Sequence, residues 1–403
     1  MDLIVAGAGP GAECLMTKQL ESAVQDADVI ITSVHFDGVF RGQLKLSVEE
    51  TLQYVREHAK EDVNVLVMAS GDTGFYSIAG TIARKVAEGI ENVRIRFLCG
   101  ISSMQYFAAA TGMGYEDMKL LSLHGREGSI VPHVCYNAKV FALTGGDMKV
   151  ADILRELWQH GFGELKVSVG ERLSMPDERI LEGTVEDLLN ERFDPLSVIT
   201  VKNPSARNPM KPLRDDEFVR GGAPMTKEAV RELAALELAV GSKETIYDIG
   251  AGTGAMTCTL ALRAYETFVY AIEKEEDAFL IAQKNMNRLG IKNVKLVHGK
   301  APGEAMDCFP PPDKVFIGGS SGNLKQIVEY VLKKNPKAEI LMTAVTMETI
   351  SSAMKLLKDA AMNVTVRLVS ISDAKKLGGY HLMKAENPVY IIKGTPERVN
   401  EKK

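Results

Sequence analysis

Cysteine is scarce in this chain. Its 403 residues hold five, Cys14, Cys99, Cys135, Cys258 and Cys308, with no Cys-x-x-Cys pair. That scatter excludes a disulfide frame and a thiolate zinc site, and predicts reduced thiols and no bound metal. Long apolar runs are also missing. No window reaches the roughly 20 residues that a membrane helix requires, so no membrane partner is expected. The N-terminus has no basic segment followed by a long apolar run. It enters a strand at once, Leu3-Ile4-Val5-Ala6, which predicts no signal peptide and a cytoplasmic protein. Positive charge is not in excess: the formal net charge is -5. No global basic field recruits nucleic acid, and an anionic substrate must be held by local Arg, Lys and His. The remaining composition, 45% hydrophobic and 25% charged, is ordinary for two globular domains, or three.

The most informative stretch is Asp248-Ile249-Gly250-Ala251-Gly252-Thr253-Gly254. The apolar Thr245-Ile246-Tyr247 leads into it as a strand, and Met256 to Arg263 can follow as a helix. A strand, a glycine turn and a helix let a ligand approach the backbone and the helix N-terminus. The next strand, Thr267 to Ile272, ends on Glu273. That acid lies about 20 residues past the glycines, where a carboxylate can grip ribose hydroxyls. The third glycine comes one residue earlier than in the nicotinamide pattern. Further strands end at Val294-Lys295-Leu296-Val297-His298, before Gly299-Lys300-Ala301-Pro302, and at Asp313 to Ile317, before Gly318-Gly319-Ser320. At the second of these points the turn is Gly-Gly-Ser and not Asp/Asn-Pro-Pro-aromatic, which argues against an exocyclic amine as the group acted on. Thr226 is expected to cap a helix from Lys227 to Ala239. Two late strands, Asn363 to Ile371 and Pro388 to Lys393, are expected to flank a loop holding Gly378 to His381. The tail after Gly394 is expected to fray.

The first half reads as apolar strands whose ends carry Gly, Ser, Asp and His, which predicts a parallel α/β sheet with its site along the carboxyl edge. The first strand runs into Gly7-Ala8-Gly9-Pro10-Gly11. Gly7-x-Gly9-x-x-Ala12 matches a dinucleotide fingerprint. Against it, Pro10 lacks an N–H, and the next strand, Asp28 to Ser33, ends on Ser33 and Val34 with no acid. Later strands are Val63 to Ala69, before Ser70-Gly71-Asp72-Thr73-Gly74-Phe75-Tyr76-Ser77, and Val93 to Leu98, before Gly100-Ile101-Ser102-Ser103. Two more are Met118 to Leu123, before His124-Gly125-Arg126, and Lys139 to Leu143, before Thr144 to Asp147. From Val150 the pattern changes to a second lobe. Three prolines between Lys202 and Pro212 mark the best boundary in the chain. The expected domains are 1–203 and 215–403, joined by a linker at 204–214.

The Gly250 to Gly254 motif with Glu273 resembles motif I of class I S-adenosylmethionine methyltransferases. With Met225-Thr226-Lys227-Glu228, Gly299 to Pro302 and Val315 to Ser320, the second half resembles the carbon-15 methyltransferase and decarboxylase family of cobalamin biosynthesis. The first half, through Gly7 to Gly11, Ser70 to Ser77, Gly100 to Ser103 and Leu123 to Arg126, resembles the two-lobed tetrapyrrole methylases, especially the carbon-5 type. The fusion is similar to bifunctional precorrin-6Y methyltransferases.

The resemblance implies methylation of a corrin precursor at two meso carbons, 5 and 15, with loss of a ring acetate carboxyl. It implies one S-adenosylmethionine site per domain and a homo-oligomer. In the first domain the donor should touch Pro10, Gly71, Asp72, Thr73, Ser102 and Ser103. In the second it should touch Thr226, Gly250, Ala251, Gly252, Thr253, Gly254, Glu273 and Ala301. The substrate is a polycarboxylate. His124 and Arg126 in the first half, and Lys227, Arg231, Lys375 and Lys376 in the second, are candidates to hold it. His298 and His381 are weaker ones. Thr73 stands where these methylases have proline, and Lys300 where class I domains often have an acid. Two other readings stay open. One is an RNA methyltransferase, disfavoured by the charge, the missing amine turn and the lack of basic-aromatic stripes. The other is a cofactor-binding scaffold with one non-catalytic half.

Overall fold

The computed structural model describes residues 1–32, 43–125 and 128–397. These form two compact units. One holds Met1–Gly128 and Ala138–Pro204; the other holds Ser129–Asn137 and Ser205–Lys403.

In the first unit, strands β1 (Asp2–Gly7), β2 (Val29–Thr32), β3 (Gln43–Lys45), β4 (Asn64–Ala69) and β5 (Arg94–Leu98) form a sheet of order β3-β2-β4-β1-β5. Every pairing in it is parallel. Alternate residues point to opposite faces. Leu3, Val5, Ile31, Val65 and Val67 pack on one side with Val55 and Ile82, which come from helices α2 (Val48–His58) and α3 (Ala79–Gly89). Ile4, Ala6, Ile30, Leu66 and Met68 pack on the other with Leu20 and Ala23, from helix α1 (Lys18–Asp26). Burial on both faces explains why β1 and β4 read as unbroken apolar runs.

The second sheet contains β6 (Lys119–Ser122), β7 (Lys139–Leu143), β8 (Lys166–Glu171), β9 (Arg179–Thr184) and β10 (Ser197–Lys202), in the order β6-β7-β10-β8-β9. Only the β6–β7 pairing is parallel. This corrects the expected organisation. The strands that end at His124 and Thr144 open this second, mixed sheet instead of extending the first, and the lobe begins before Val150. An apolar strand with a polar end looks the same in either sheet. The Ser33 and Val34 end of β2 lies outside the described residues.

The second unit has a seven-stranded sheet of order β13-β12-β11-β14-β15-β19-β16. Its strands are β11 (Ile246–Ile249), β12 (Val269–Glu273), β13 (Val294–His298), β14 (Lys314–Ile317), β15 (Glu339–Ala344), β16 (Met362–Val369) and β19 (Val389–Pro396). β19 runs antiparallel to β15 and β16, and the rest is parallel. The strand order reverses between β11 and β14. That is the position where open sheets of this kind leave a crevice at their carboxyl ends. The segment expected to be a loop is a hairpin, β17 (Ser372–Leu377) with β18 (Tyr380–Ala385), turning at Gly378 and Gly379. β19 continues past Gly394 to Pro396, and residues 398–403 lie outside the described set.

Helix α8 (Glu228–Leu238) has Lys227 at its N-cap with no side-chain cap. Thr226 is therefore not its cap, contrary to expectation. A contiguous boundary near residue 203 also misses one segment. The nine residues Ser129–Asn137, which include helix α5 (Val131–Tyr136), belong to the second unit. There the buried Tyr136 hydroxyl lies 2.7 Å from Asn293 Oδ1 and 3.1 Å from Ala261 O. Among the described residues no helix is long and apolar enough to cross a membrane, and no group of three or more His, Cys, Asp or Glu could hold a metal ion.

Removing the Tyr136 hydroxyl leaves Asn293 Oδ1 without that partner in the interior. Tyr136→Phe should therefore destabilise the protein by about 1–3 kcal/mol. Chemical denaturation measures this, and an unchanged midpoint would contradict the anchoring role.

Candidate functional site

In the second unit the site grows from the turn after β11. Gly250, Gly252 and Gly254 have φ of +78°, +56° and +76°, a region that residues with a Cβ adopt at a cost. Crowding adds to this. A Cβ on Gly250 would lie 2.6 Å from Gly319 O, and one on Gly254 would lie 3.0 Å from Ala282 Cβ. Gly250 N and Ala251 N both donate to Ile272 O, at 3.0 and 3.1 Å, which ties the turn to β12. Helix α9 (Ala255–Arg263) then leaves directly from Gly254.

Glu273 ends β12 and is 6% exposed. Its carboxylate accepts from Gly252 N at 2.7 Å, Lys274 N at 2.8 Å and Glu275 N at 2.9 Å. Three backbone donors fix its orientation toward a cavity of about 280 Å³, which Glu273, Ala301, Lys300, Gly318 and Gly319 help to line. A second cavity of about 680 Å³ is lined by Thr226, Lys227, Ala251, Thr253, Thr343 and Lys384, among others. Gly250 and Gly252 line both cavities. Of the expected donor contacts here, Gly254 alone lines neither; it packs against Ala282.

Asp248 sits beneath the turn with no exposure. Its Oδ2 accepts from Thr257 Oγ1 at 2.5 Å, and its Oδ1 has no partner among the described residues. Burial pushes its pKa up to about 7; the Thr257 hydroxyl opposes the shift and the nearby Glu273 adds to it.

Arg231 does not reach either cavity, which corrects its candidacy as a substrate ligand. It is wholly buried. Its guanidinium donates to Asp215 Oδ1 at 2.6 Å, Thr226 O at 2.7 Å and Leu213 O at 2.8 Å, and it stacks 4.9 Å from the Phe218 ring centre. A charge buried this deeply needs such partners and is consumed by them. Lys375 and Lys376 lie on β17, outside the lining of the 680 Å³ cavity, and Lys384 on β18 lines it instead. His381 is exposed on β18, and His298 lies 3.0 Å from Lys274 O.

The first unit has a comparable floor. A Cβ on Gly100 would lie 2.4 Å from Gly71 O and 2.5 Å from Gly7 O. Three strand ends, those of β1, β4 and β5, thus meet backbone to backbone. Gly9 N donates to Gly71 O at 3.1 Å and Gly71 N donates to Gly9 O at 2.8 Å. Asp72 holds two turns, accepting from Gly100 N and from Gly74 N, each at 2.9 Å. Thr73 Oγ1 donates to Leu98 O at 3.3 Å, a bond that a proline there could not make. Ser102 is buried, and its hydroxyl caps helix α4 (Ser103–Ala110) by accepting from Gln105 N.

Beside this floor lies a cavity of about 290 Å³ lined by Pro10, Gly71, Tyr76, Ser103, His124 and Thr144, among others. Asp72, Thr73 and Ser102 stand behind the wall as braces. Arg126 lies outside the described residues. Tyr76 was not singled out as a site residue. It has φ +48°, and its hydroxyl donates to Leu120 O at 3.0 Å. Its place in the Ser70 to Ser77 run was the available signal. Lys384 is not among the sequence candidates, because the stretch between the two late strands reads as a loop, although Gly378-Gly379 between short β-prone runs is a hairpin signal.

Residues 216–395 match the family model described as precorrin methyltransferase domain, and residues 2–189 match tetrapyrrole (corrin/porphyrin) methylases. The chain is 29% identical over 337 residues to a precorrin-6Y C(5,15)-methyltransferase [decarboxylating] of a Sinorhizobium species, covering 82% of this chain and 80% of the relative. It is 33% identical over 181 residues to a probable cobalt-precorrin-6B C(15)-methyltransferase (decarboxylating) of Pyrobaculum calidifontis, covering 44% of this chain and 92% of the relative. A solved precorrin-6y C5,15-methyltransferase structure from Geobacter metallireducens GS-15 aligns at 31% identity with TM-score 0.44, covering 45% of this chain and 96% of that one.

The raised pKa of Asp248 sets a pH dependence. The folded state binds this proton more tightly than the unfolded chain does. Its stabilisation is therefore complete below the ordinary carboxyl range and is lost as pH rises toward about 7. Asp248→Asn has no charge to bury. Its stability relative to wild type should grow between about pH 4 and about pH 8. Urea denaturation at the two pH values reads the gap, and a constant gap would contradict the burial cost.

Proposed function

The chain belongs to the decarboxylating precorrin methyltransferases, S-adenosylmethionine-dependent C-methyltransferases of cobalamin biosynthesis, and on that premise we propose that it is a bifunctional cytoplasmic enzyme acting on one tetrapyrrole. The first unit methylates carbon 5. The second methylates carbon 15 and removes a ring acetate carboxyl. No nucleic acid or membrane takes part. The observation that carries this reading is the pair of glycine-floored cavities, one at the carboxyl edge of a sheet in each unit, in a chain whose two halves match two methyltransferase families.

The residues suit the donor. A turn without side chains at Gly250 and Gly252 admits a ligand to the backbone, and Glu273 offers fixed carboxylate oxygens to a ribose diol. When bound, S-adenosylmethionine supplies an electrophilic methyl group. The chain's own part is alignment and exclusion of water, because an enamine-like meso carbon needs no strong base. In the second unit Gly250 and Gly252 border the smaller cavity on one side and the larger on the other. That arrangement supports a reading in which the donor's adenosyl end occupies the cavity beside Glu273 and the acceptor the cavity beside Lys227. In the first unit Pro10, Gly71 and Ser103 contact the donor, with Asp72, Thr73 and Ser102 holding their turns. His124, exposed at the mouth, meets a substrate carboxylate.

The enzyme works as a homo-oligomer. A two-stranded hairpin is marginal by itself, and β17–β18 carries Leu377, Tyr380, Leu382 and Met383 all more than half exposed. A second copy of the chain is the partner that covers them.

Two outcomes test this reading. Titration of the full chain with S-adenosylhomocysteine should give two sites, and Gly252→Val should leave one; two sites in the variant would count against the second-unit assignment. Tyr380→Asp combined with Leu382→Asp should lower the sedimenting mass to that of one chain, whereas an unchanged mass would remove the hairpin as the interface.

A further inference from the structure

Among the described residues, the 680 Å³ cavity has a single acidic side chain on its wall, Glu386. From Ser372 to Pro388 every residue is exposed except this one. Its N–H donates to Ile371 O at 2.9 Å and closes the base of the β17–β18 hairpin. The backbone is thus held while the side chain faces the cavity. No hydrogen bond or ion pair engages its carboxyl group among the described residues. Lys227 and Lys384 line the same cavity, and no ion pair engages either ammonium group among the described residues. The neighbouring charges differ in this respect: Glu273 is held by three backbone donors, and Arg231 is locked by Asp215. Polar side chains without partners, gathered around a cavity whose remaining wall includes Phe316, Val345 and Val369, are free to engage a ligand.

The geometry points to Glu386 as the catalytic acid of the decarboxylation, with Lys384 and Lys227 holding ring carboxylates in place. This assignment rests on the functional reading above. Loss of carbon dioxide breaks the bond between the acetate methylene carbon and its carboxylate carbon. The electron pair stays with the methylene carbon, delocalised into the conjugated ring, and one proton must be added to give the methyl group. Glu386 donates that proton as the bond breaks and regains one from solvent at the cavity mouth. A positioned carboxylic acid is the ordinary means of such a transfer. The two ammonium groups leave the reacting carboxylate uncommitted while they fix the others by charge.

The test uses the full chain with S-adenosylmethionine and cobalt-precorrin-6B, measuring S-adenosylhomocysteine and carbon dioxide separately. Glu386→Gln should slow carbon dioxide release about a hundredfold more than methyl transfer, the lower end of what a positioned acid contributes. A methylated product that keeps its carboxyl group should accumulate, and Glu386→Asp should recover part of the loss. Lys384→Gln should raise KM for the corrin, with the affinity for S-adenosylhomocysteine unchanged as a check on folding. Equal effects of Glu386→Gln on the two products, or no effect on either, would overturn the assignment. A wild-type chain that releases neither product overturns the functional reading and takes this inference with it.

Discussion

Two turns in the second unit pass each other with no room for a side chain between them. A Cβ on Gly250 would lie 2.6 Å from the carbonyl oxygen of Gly319. The ends of β11 and β14 can meet because Gly250 has no side chain, whereas a Cβ on Gly319 would point into open space; this meeting fixes the crevice where the strand order reverses. The first unit repeats the constraint with other residues, where Gly7, Gly71 and Gly100 bring three strand ends together. In each case the sheet supplies a rigid edge, and bare backbone at that edge supplies the floor of a cavity. A side chain on either floor would fill the space that a ligand needs.

Charge around the second site is sorted by what each group has been given. Glu273 is surrounded by N–H donors and stays aimed at the smaller cavity. Asp248 is buried with one oxygen unpartnered, so its proton is held up to about pH 7. Arg231 is bound to Asp215 and to two carbonyls, one of them that of Thr226. It holds the segment that forms the wall of the larger cavity without entering it. Among the described residues, the charged groups left uncommitted there, Lys227, Lys384 and Glu386, are the ones that face the larger cavity.

The glycine turn and Glu273 were legible in the sequence because local chemistry dictates them: three positive φ values in one turn favour glycine, and a strand end has a fixed position. The seven-stranded sheet was legible for a similar reason, since buried parallel strands read as apolar runs. Features that depend on distant partners were not. Nothing near Arg231 in sequence says that Asp215 and Leu213 will enclose it. Nothing in Val131 to Tyr136 says which core that helix serves; the answer is Asn293 and Ala261, more than a hundred residues away. The β6 and β7 strands look like members of the first sheet because an apolar strand does not specify its neighbours. The hairpin that carries Lys384 and leads to Glu386 has too few buried residues to announce itself by periodicity.

The proposal that each unit holds its own donor site and that both act on one large substrate has a direct test. The direct measurement is mass spectrometry of a precorrin-6Y-type ring after incubation with the full chain and labelled S-adenosylmethionine. The expected product carries two added methyl groups and has lost one carbon dioxide. A ring that gains only one methyl group under saturating donor, or one that is untouched while RNA is methylated, would contradict it.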